Sequence, residues 1–180
     1  MSTSTPVKHV TEEEYLHNRE YKHCEYVDGQ VVPLNVGHKS HARITAKCCR
    51  KFDEYFDEHR GGYAAAELHC RLKIRGVTRY RLPDVAVVLG DESPDELYLQ
   101  RSPDLVVEIR SPEDKVAFLL RKADDYFANG ARMAWIILPE EHSVVVLIPN
   151  ANPQTFASGE SIDVSAVLPG LSIAVDDLFR

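Results

Sequence analysis

Two acidic residues stand in apolar surroundings in this 180-residue chain. Asp84 lies in the segment RLPDVAVVLG, and Glu108 lies in the segment DLVVEIRS. A buried carboxylate costs free energy unless it is paired with a cation or bound to a metal ion. Two carboxylates that meet can hold Mg²⁺, which generates a hydroxide nucleophile and stabilises the leaving oxygen when a phosphodiester is hydrolysed. Asp84 and Glu108 are therefore candidate metal ligands.

The residues around both carboxylates predict β-strands, whose side chains alternate between two faces. Asp84 shares a face with Ala86, and Glu108 shares a face with Val106 and Arg110. If the two strands are neighbours, the two carboxylates converge on one face of the sheet. A structural interpretation stands beside this one, because Asp84 can be a cap or turn residue and Glu108 can belong to a structural ion pair.

Two cations are candidates for the same site. Arg110 follows Glu108 by two residues, and Lys122 lies on the predicted next helix, on the side that carries Leu119 and Tyr126. Lysine can lose its proton when it is desolvated, whereas arginine effectively cannot. Lys122 is therefore the preferred residue for handling a proton, and Arg110 is preferred for contact with a phosphate or carboxylate. Tyr126 is expected to be a core residue.

The first elements show clear local signals. The segment VTEEEYLHN predicts a helix with Thr11 as its N-cap and Glu14 completing a capping box. Asp28-Gly29 predicts the turn of a β-hairpin. Apolar residues spaced by three and four positions predict an amphipathic helix over residues 40–58.

The remaining chain predicts strands and one further long helix. Strands are expected over residues 63–74, 80–89, 104–111, 131–139 and 143–149, the last two joined by a turn around Glu141. The long helix is expected to begin with Ser111 as N-cap and Pro112 in its first position, and to end at Asn129-Gly130. This order predicts an α/β or α+β domain, in which a mixed β-sheet is flanked by α-helices.

The composition sets limits on the class of protein. With 44% hydrophobic and 27% charged residues, the chain is expected to form one globular domain over residues 1–180, with residues 1–10 as a flexible tail. A net charge of −7 argues against coating nucleic acid by bulk attraction, although it allows a local basic groove. Four cysteines without a C-x-x-C pair are expected to be reduced and mostly buried. No signal peptide or membrane-length apolar run is seen, so a cytoplasmic location without membrane contact is expected.

A set of short motifs in a fixed order resembles a known family. The motifs are EYVDGQVV, His41-x-x-Ile44, LPDVAVV, PDLVVEIRSP, Lys122-x-x-x-Tyr126 and AWIILP. They resemble the bacterial Uma-type family of restriction endonucleases, within the PD-(D/E)xK nuclease superfamily, over about residues 25–147. The resemblance implies a restriction-endonuclease-like fold with a central mixed β-sheet flanked by α-helices.

The resemblance also implies a set of metal ligands. Asp84 and Glu108 match the two superfamily acids, and Mg²⁺ or Mn²⁺ would be the cofactor. Glu67 on the preceding strand is a further candidate ligand, although a strand glutamate more often faces solvent. His41 is expected to support the site, while a cap or packing role remains open for it and for His38.

The superfamily lysine does not stand at its usual position. That position holds Arg110 in this chain. In families of this kind the lysine can come from the following helix, where it matches Lys122. The resemblance thus implies Asp84, Glu108 and Lys122 as the catalytic residues.

Three functions are compatible with these residues. The first is a metal-dependent DNA endonuclease, which would cut both strands as a homodimer. The second is a catalytically inactive nuclease-fold module that binds or regulates, favoured by the acidic net charge and by Arg110. The third is a metal-dependent hydrolase of another phosphoester. No helix-turn-helix or zinc-finger signature is seen, so any preference for a DNA sequence would come from loops such as residues 91–102 or from a partner.

Overall fold

The computed structural model describes residues 9–34, 38–90 and 97–179. Most of the predicted tail, residues 1–8, and part of the predicted specificity loop, residues 91–96, lie outside the described residues. The helices are α1 (Glu12–His17), α2 (Lys39–Glu58), α3 (Val116–Phe127) and α4 (Val175–Phe179), and a 3₁₀ turn covers Arg19–Tyr21. The strands are β1 (Cys24–Val27), β2 (Gln30–Pro33), β3 (Gly62–Ala66), β4 (Cys70–Ile74), β5 (Val77–Arg81), β6 (Val85–Leu89), β7 (Leu105–Ile109), β8 (Met133–Leu138), β9 (Ser143–Leu147), β10 (Gln154–Ala157), β11 (Ser161–Asp163) and β12 (Ser172–Ala174).

The strands form a large mixed sheet and two smaller antiparallel ones. The six-stranded sheet has the order β10-β9-β8-β7-β6-β3, in which β7 and β8 are parallel and the other neighbours are antiparallel. A four-stranded sheet has the order β2-β1-β5-β4, and β11 pairs with β12. The predicted fold class, a mixed sheet flanked by helices, is confirmed.

Helices cover both faces of the six-stranded sheet. On one face, α2 buries Ile44, Cys48 and Phe52 against side chains such as Val107 and Trp135. On the other face, α3 contributes Leu119, Ala123 and Tyr126 to a second core cluster that includes Val88, Val106 and Ile136. Because side chains alternate along β7, Glu108 lies on the Val106 face, which is the face covered by α3.

Several local predictions are confirmed. The Thr11 side chain accepts a hydrogen bond from the Glu14 backbone N–H at 3.1 Å, so α1 begins as expected. Asp28 and Gly29 join β1 to β2 with φ values of 51° and 81°. Two successive positive φ angles are what a two-residue type I′ hairpin turn requires.

Two long predicted strands are each interrupted, which corrects the sequence analysis. The predicted strand over residues 63–74 breaks at Glu67, whose φ is 50°, so β3 belongs to the large sheet and β4 to the four-stranded sheet. The next predicted strand breaks after Arg81, because Pro83 has no N–H to donate to a ladder. The two breaks lie side by side, since the Glu67 N–H donates to the Asp84 carbonyl at 3.4 Å.

The start of α3 also differs from its prediction. The helix begins at Val116 with Lys115 as N-cap, rather than at Pro112. Ser111 and Asp114 instead form a separate turn, in which the Asp114 carboxylate accepts from the Ser111 N–H at 3.1 Å and the Asp114 N–H donates to the Ser111 carbonyl at 2.9 Å. A short acidic side chain that binds nearby backbone N–H groups competes with the helical pattern.

The cysteine prediction is confirmed. All four cysteines lie within the described residues and are thiols, with Cys24, Cys48 and Cys70 buried and Cys49 half-buried. Burial raises the pKa of the Cys48 and Cys49 thiols, so neither is poised as a nucleophile. In the described part of the chain, no helix is long and apolar enough to cross a membrane.

Candidate active site

The fold brings Asp84 and Glu108 to one cavity. Strands β6 and β7 are antiparallel neighbours with Val85 opposite Val107, so the condition under which the two carboxylates converge is met. Asp84 precedes β6, and its Oδ2 accepts a hydrogen bond from the Ile109 N–H at 2.6 Å. Both carboxylates line a cavity of about 600 Å³ that lies between α2, α3 and the β1–β2 hairpin.

Glu108 is buried, and both of its carboxylate oxygens accept a hydrogen bond. Lys122 Nζ donates to Oε2 at 2.6 Å, and the Tyr126 hydroxyl donates to Oε1 at 2.8 Å. Burial raises the pKa of Glu108 to about 7: Lys122 opposes this shift, while the negative charges of Asp84 and Glu25 add to it. Burial is thus the main reason that the proton of Glu108 is held more tightly than usual.

Lys122 lies at the centre of this site. It projects from the buried side of α3, one helical turn before Tyr126, and its side chain is 4% exposed. Its Nζ is 2.6 Å from Glu108 Oε2 and 2.9 Å from Glu25 Oε1. Burial alone would lower the pKa of Lys122, but these two carboxylates raise it above its ordinary value. Lys122 is therefore an ammonium that donates hydrogen bonds.

Glu25 is a site residue that the sequence analysis did not single out. It lies on β1 in the four-stranded sheet and is 1% exposed. Oε1 accepts from Lys122 and from the Leu82 N–H at 3.1 Å, while Oε2 accepts from Arg81 at 2.7 Å. Burial tends to raise the pKa of Glu25, but Lys122 and Arg81 together lower it, so Glu25 is ionised.

A buried network of ion pairs holds Arg81, the partner of Glu25, in place. Arg81 Nε and Nη2 donate to Asp125 Oδ2 at 2.9 and 2.6 Å, and Arg81 is 4% exposed. Asp125 Oδ1 accepts from Arg79 at 2.6 Å, and Arg79 also pairs with Asp28 at 2.7 Å in the hairpin turn. The network ties the hairpin and β5 to α3, the helix that carries Lys122.

His41 contacts the other carboxylate. It lies in the first turn of α2, with Nε2 3.2 Å from Asp84 Oδ1. The hydrogen bond to Asp84 raises the pKa of His41, although burial opposes this shift. His38 is the N-cap of the same helix, is exposed, and forms no side-chain capping bond. Of the two histidines, only His41 lies at the carboxylates.

Glu67 lies at the rim of the cavity. Its side chain is 62% exposed, and its Oε2 is 4.0 Å from His23 Nδ1. Within the described ranges, no three His, Cys, Asp or Glu side chains are grouped closely enough to hold a metal ion. Glu67 therefore does not complete a three-ligand set with Asp84 and Glu108 in this conformation.

Arg110 points to another part of the molecule. Its guanidinium lies 2.7 Å from Glu140 and 3.1 Å from Glu141, in the turn between β8 and β9. It lines a separate cavity that also contacts His41. In this conformation the guanidinium of Arg110 thus pairs with the turn between β8 and β9, and no ion pair joins it to Asp84 or Glu108 among the described residues.

Comparisons with known proteins place this site in a family context. The family model described as "Uma2: Putative restriction endonuclease" matches residues 12–176. The chain belongs to the Uma2 family. The family resemblance that the sequence motifs suggested is therefore confirmed.

Two relatives match nearly the whole length of this Uma2 chain. "Uncharacterized protein slr1290" of Synechocystis sp. (strain ATCC 27184 / PCC 6803 / Kazusa) is 25% identical over 187 residues, which cover 99% of this chain and 96% of the relative. A crystal structure from Anabaena variabilis, described as "a putative nuclease belonging to DUF820", superposes with a TM-score of 0.82. It is 23% identical and covers 94% of this chain and 97% of its own. This similarity confirms the fold.

Proposed function

We propose that this Uma2 protein is a metal-dependent DNA endonuclease that hydrolyses phosphodiester bonds with Asp84, Glu108 and Lys122. The observation that supports this proposal best is the arrangement of these three side chains. Two carboxylates meet at adjacent strands, and a buried lysine from the next helix lies 2.6 Å from one of them. This is the arrangement that the nuclease resemblance implies for Lys122 in place of Arg110.

The donor set fits Mg²⁺ or Mn²⁺. Carboxylate oxygens are hard ligands, and Mg²⁺ is commonly held by one or two carboxylates with waters and a substrate phosphate. Asp84 and Glu108 would hold the ion, and Glu67 at the rim could bind one of its waters. A divalent cation beside Glu108 would offset the burial of its charge and the repulsion from Asp84 and Glu25, which together raise its pKa.

The side chains have separable roles in this mechanism. When bound, the ion would supply a Lewis acid for activating water and for stabilising charge on the phosphate. The Ile109 N–H orients Asp84, and Tyr126 orients Glu108. The Lys122 ammonium, itself 4% exposed, would donate a hydrogen bond where negative charge grows on the phosphate.

One observation favours a second candidate, a nuclease-fold module that binds DNA or protein without hydrolysis. Both Glu108 oxygens are occupied by Lys122 and Tyr126. A metal ion must therefore share or displace these contacts. If it cannot, the buried ion pair serves stability alone.

Cleavage of supercoiled plasmid and of single-stranded DNA tests the proposal. Wild-type protein is expected to cleave with Mg²⁺ or Mn²⁺ and to stop with a chelator. Asp84→Asn and Glu108→Gln are expected to lower the rate by at least about 100-fold. Glu140→Gln, which changes an exposed carboxylate outside the cavity, is the matched control and is expected to cleave at the wild-type rate.

The outcomes separate the candidate functions. Equal cleavage by wild type and both site variants would contradict the proposed site. DNA binding without cleavage by the wild type would favour the inactive module. Turnover of a small phosphodiester without any effect on DNA would favour a hydrolase of other phosphoesters.

Molecular mass in solution, with and without DNA, tests the further proposal that the enzyme acts as a homodimer.

A further inference from the structure

We propose that Glu25 is a positioning residue that keeps the Lys122 ammonium in place when Glu108 binds the metal ion. This inference rests on the proposed function. It starts from the position of Lys122 Nζ, which lies between two buried carboxylates at 2.6 and 2.9 Å. One carboxylate is that of Glu108, a proposed metal ligand on β7 of the six-stranded sheet. The other is that of Glu25, on β1 of the four-stranded sheet.

Metal binding weakens one of these two contacts. Glu108 has two carboxylate oxygens, and each already accepts a hydrogen bond. An oxygen that donates electron density to a divalent cation attracts a neighbouring ammonium less strongly. With Glu108 as its sole partner, Lys122 would then be a buried cation without adequate compensation, which is an unstable arrangement.

Glu25 can supply the lasting partner because it is fixed by its other contacts. Arg81 and the Leu82 N–H hold its two oxygens at 2.7 and 3.1 Å, and Arg81 is in turn held by Asp125. The oxygens of Glu25 are thus engaged by three donors, Lys122 among them. This makes Glu25 a poor metal ligand and a rigid acceptor for Lys122, although it contributes to the cavity wall.

Glu108 and Glu25 would therefore have different roles in catalysis. Glu108 would hold the ion, and Glu25 would hold the Lys122 ammonium, 2.9 Å away. Displacement of a catalytic group by about 1 Å can cost about 100-fold in rate. Removing the charge of Glu25 is therefore expected to slow cleavage by about 10- to 100-fold, with little change in metal affinity or in DNA affinity.

The side-chain ammonium signal of Lys122 in ¹H–¹⁵N NMR spectra reports its position without any activity. A buried, ion-paired ammonium exchanges its hydrogens slowly enough to be observed. With saturating Mg²⁺, the wild type is expected to keep this signal, and Glu25→Gln is expected to lose it. Glu12→Gln removes a partly exposed partner of Arg71 and is the matched control, expected to keep the signal.

Metal-free protein provides a test that does not depend on the proposed function. Glu108→Gln alone is expected to keep the Lys122 signal, because Glu25 remains, whereas the double variant with Glu25→Gln is expected to lose it. If the wild type binds no Mg²⁺, the proposed function fails, and these two variants still decide whether Glu25 holds Lys122.

Two results would overturn the inference. One is a Lys122 signal that persists in Mg²⁺-loaded Glu25→Gln at the wild-type exchange rate. The other is a large loss of Mg²⁺ affinity in that variant, which would place Glu25 at the ion. If Glu25→Gln does not fold, Glu25→Asp replaces it: this change keeps the charge and withdraws the carboxylate by about 1.5 Å. Faster exchange of the Lys122 hydrogens is then expected, and an unchanged rate would contradict the inference.

Discussion

Replacing Lys122 by methionine removes the cation from the buried acidic site while keeping a long side chain on α3. The change leaves Glu25 and Glu108 buried, with their closest ammonium gone. Among the described residues, Glu25 retains Arg81 and the Leu82 N–H as donors, whereas Glu108 retains the Tyr126 hydroxyl alone. The main free-energy cost of the substitution therefore falls on Glu108.

The size of this cost follows from burial. Removing one partner of a buried ion pair typically destabilises a protein by about 3–5 kcal/mol. Lys51→Met is the matched control, since Lys51 is also a helical lysine and lies 2.8 Å from Asp177. That pair is partly exposed, with 31% and 42% of the side chains accessible, so its loss is expected to cost about 0–1 kcal/mol.

The cost should depend on pH in a defined direction. In the metal-free wild type the folded-state pKa of Glu108, about 7, already lies above its ordinary value of 4.5. Removing Lys122 raises it further. A carboxyl group whose pKa is higher in the folded state than in the unfolded state contributes to stability while it is protonated. This contribution is fully present below the unfolded-state pKa, and it is lost as the pH rises through the folded-state pKa. Lys122→Met should thus lose more stability at pH 8 than at pH 5.

Urea unfolding followed by circular dichroism, in the presence of a chelator, measures both free energies at the two pH values. Lys122→Met is expected to be destabilised by several kcal/mol more than Lys51→Met at pH 8, with a smaller difference at pH 5. Equal destabilisation of the two variants, or a Lys122→Met effect that is the same at both pH values, would refute the buried acidic site.

Three further predictions follow from the same contacts. Mg²⁺ affinity should rise between pH 6 and pH 8, because Glu108 must lose its proton to bind the ion. Titration calorimetry in buffers of different ionisation enthalpy should detect the released proton. An affinity that does not change with pH would contradict this prediction. Tyr126→Phe should destabilise the metal-free protein by about 1–3 kcal/mol in urea unfolding, because Glu108 Oε1 loses its buried donor, and an unchanged midpoint would argue against that hydrogen bond. Arg110→Met should leave the DNA cleavage rate nearly unchanged, because its guanidinium pairs with Glu140 and Glu141; loss of cleavage without loss of folding would return Arg110 to the site.

The sequence predicted the part of the site that depends on local periodicity. Strand alternation put Asp84 and Glu108 on faces that could meet, and the pairing of β6 with β7 does bring them together. Helical periodicity put Lys122 and Tyr126 on one side of α3, and both reach Glu108. Each assignment to a face needed only the regular geometry of a single element, whereas the sequence left open whether β6 and β7 are neighbours.

The part of the site that the sequence did not predict depends on contacts between elements far apart in sequence. Glu25 lies on a hairpin strand, and its buried partners are distant in sequence: Arg81 follows 56 residues later and Lys122 97 residues later. No local pattern reports those contacts. Likewise, the break at Glu67 requires a positive φ that a non-glycine residue seldom adopts, so the sequence predicted an uninterrupted strand.

Calorimetric titration of Mg²⁺ and Mn²⁺ into the protein determines whether Glu108 holds a divalent metal ion. Wild type and Glu108→Gln are compared, with Glu140→Gln as the control and with each titration repeated in the presence of an uncleavable phosphorothioate oligonucleotide. Binding is expected for the wild type and for Glu140→Gln and is expected to be lost in Glu108→Gln. Binding that survives in Glu108→Gln, or no binding by the wild type even with the oligonucleotide, would contradict this expectation.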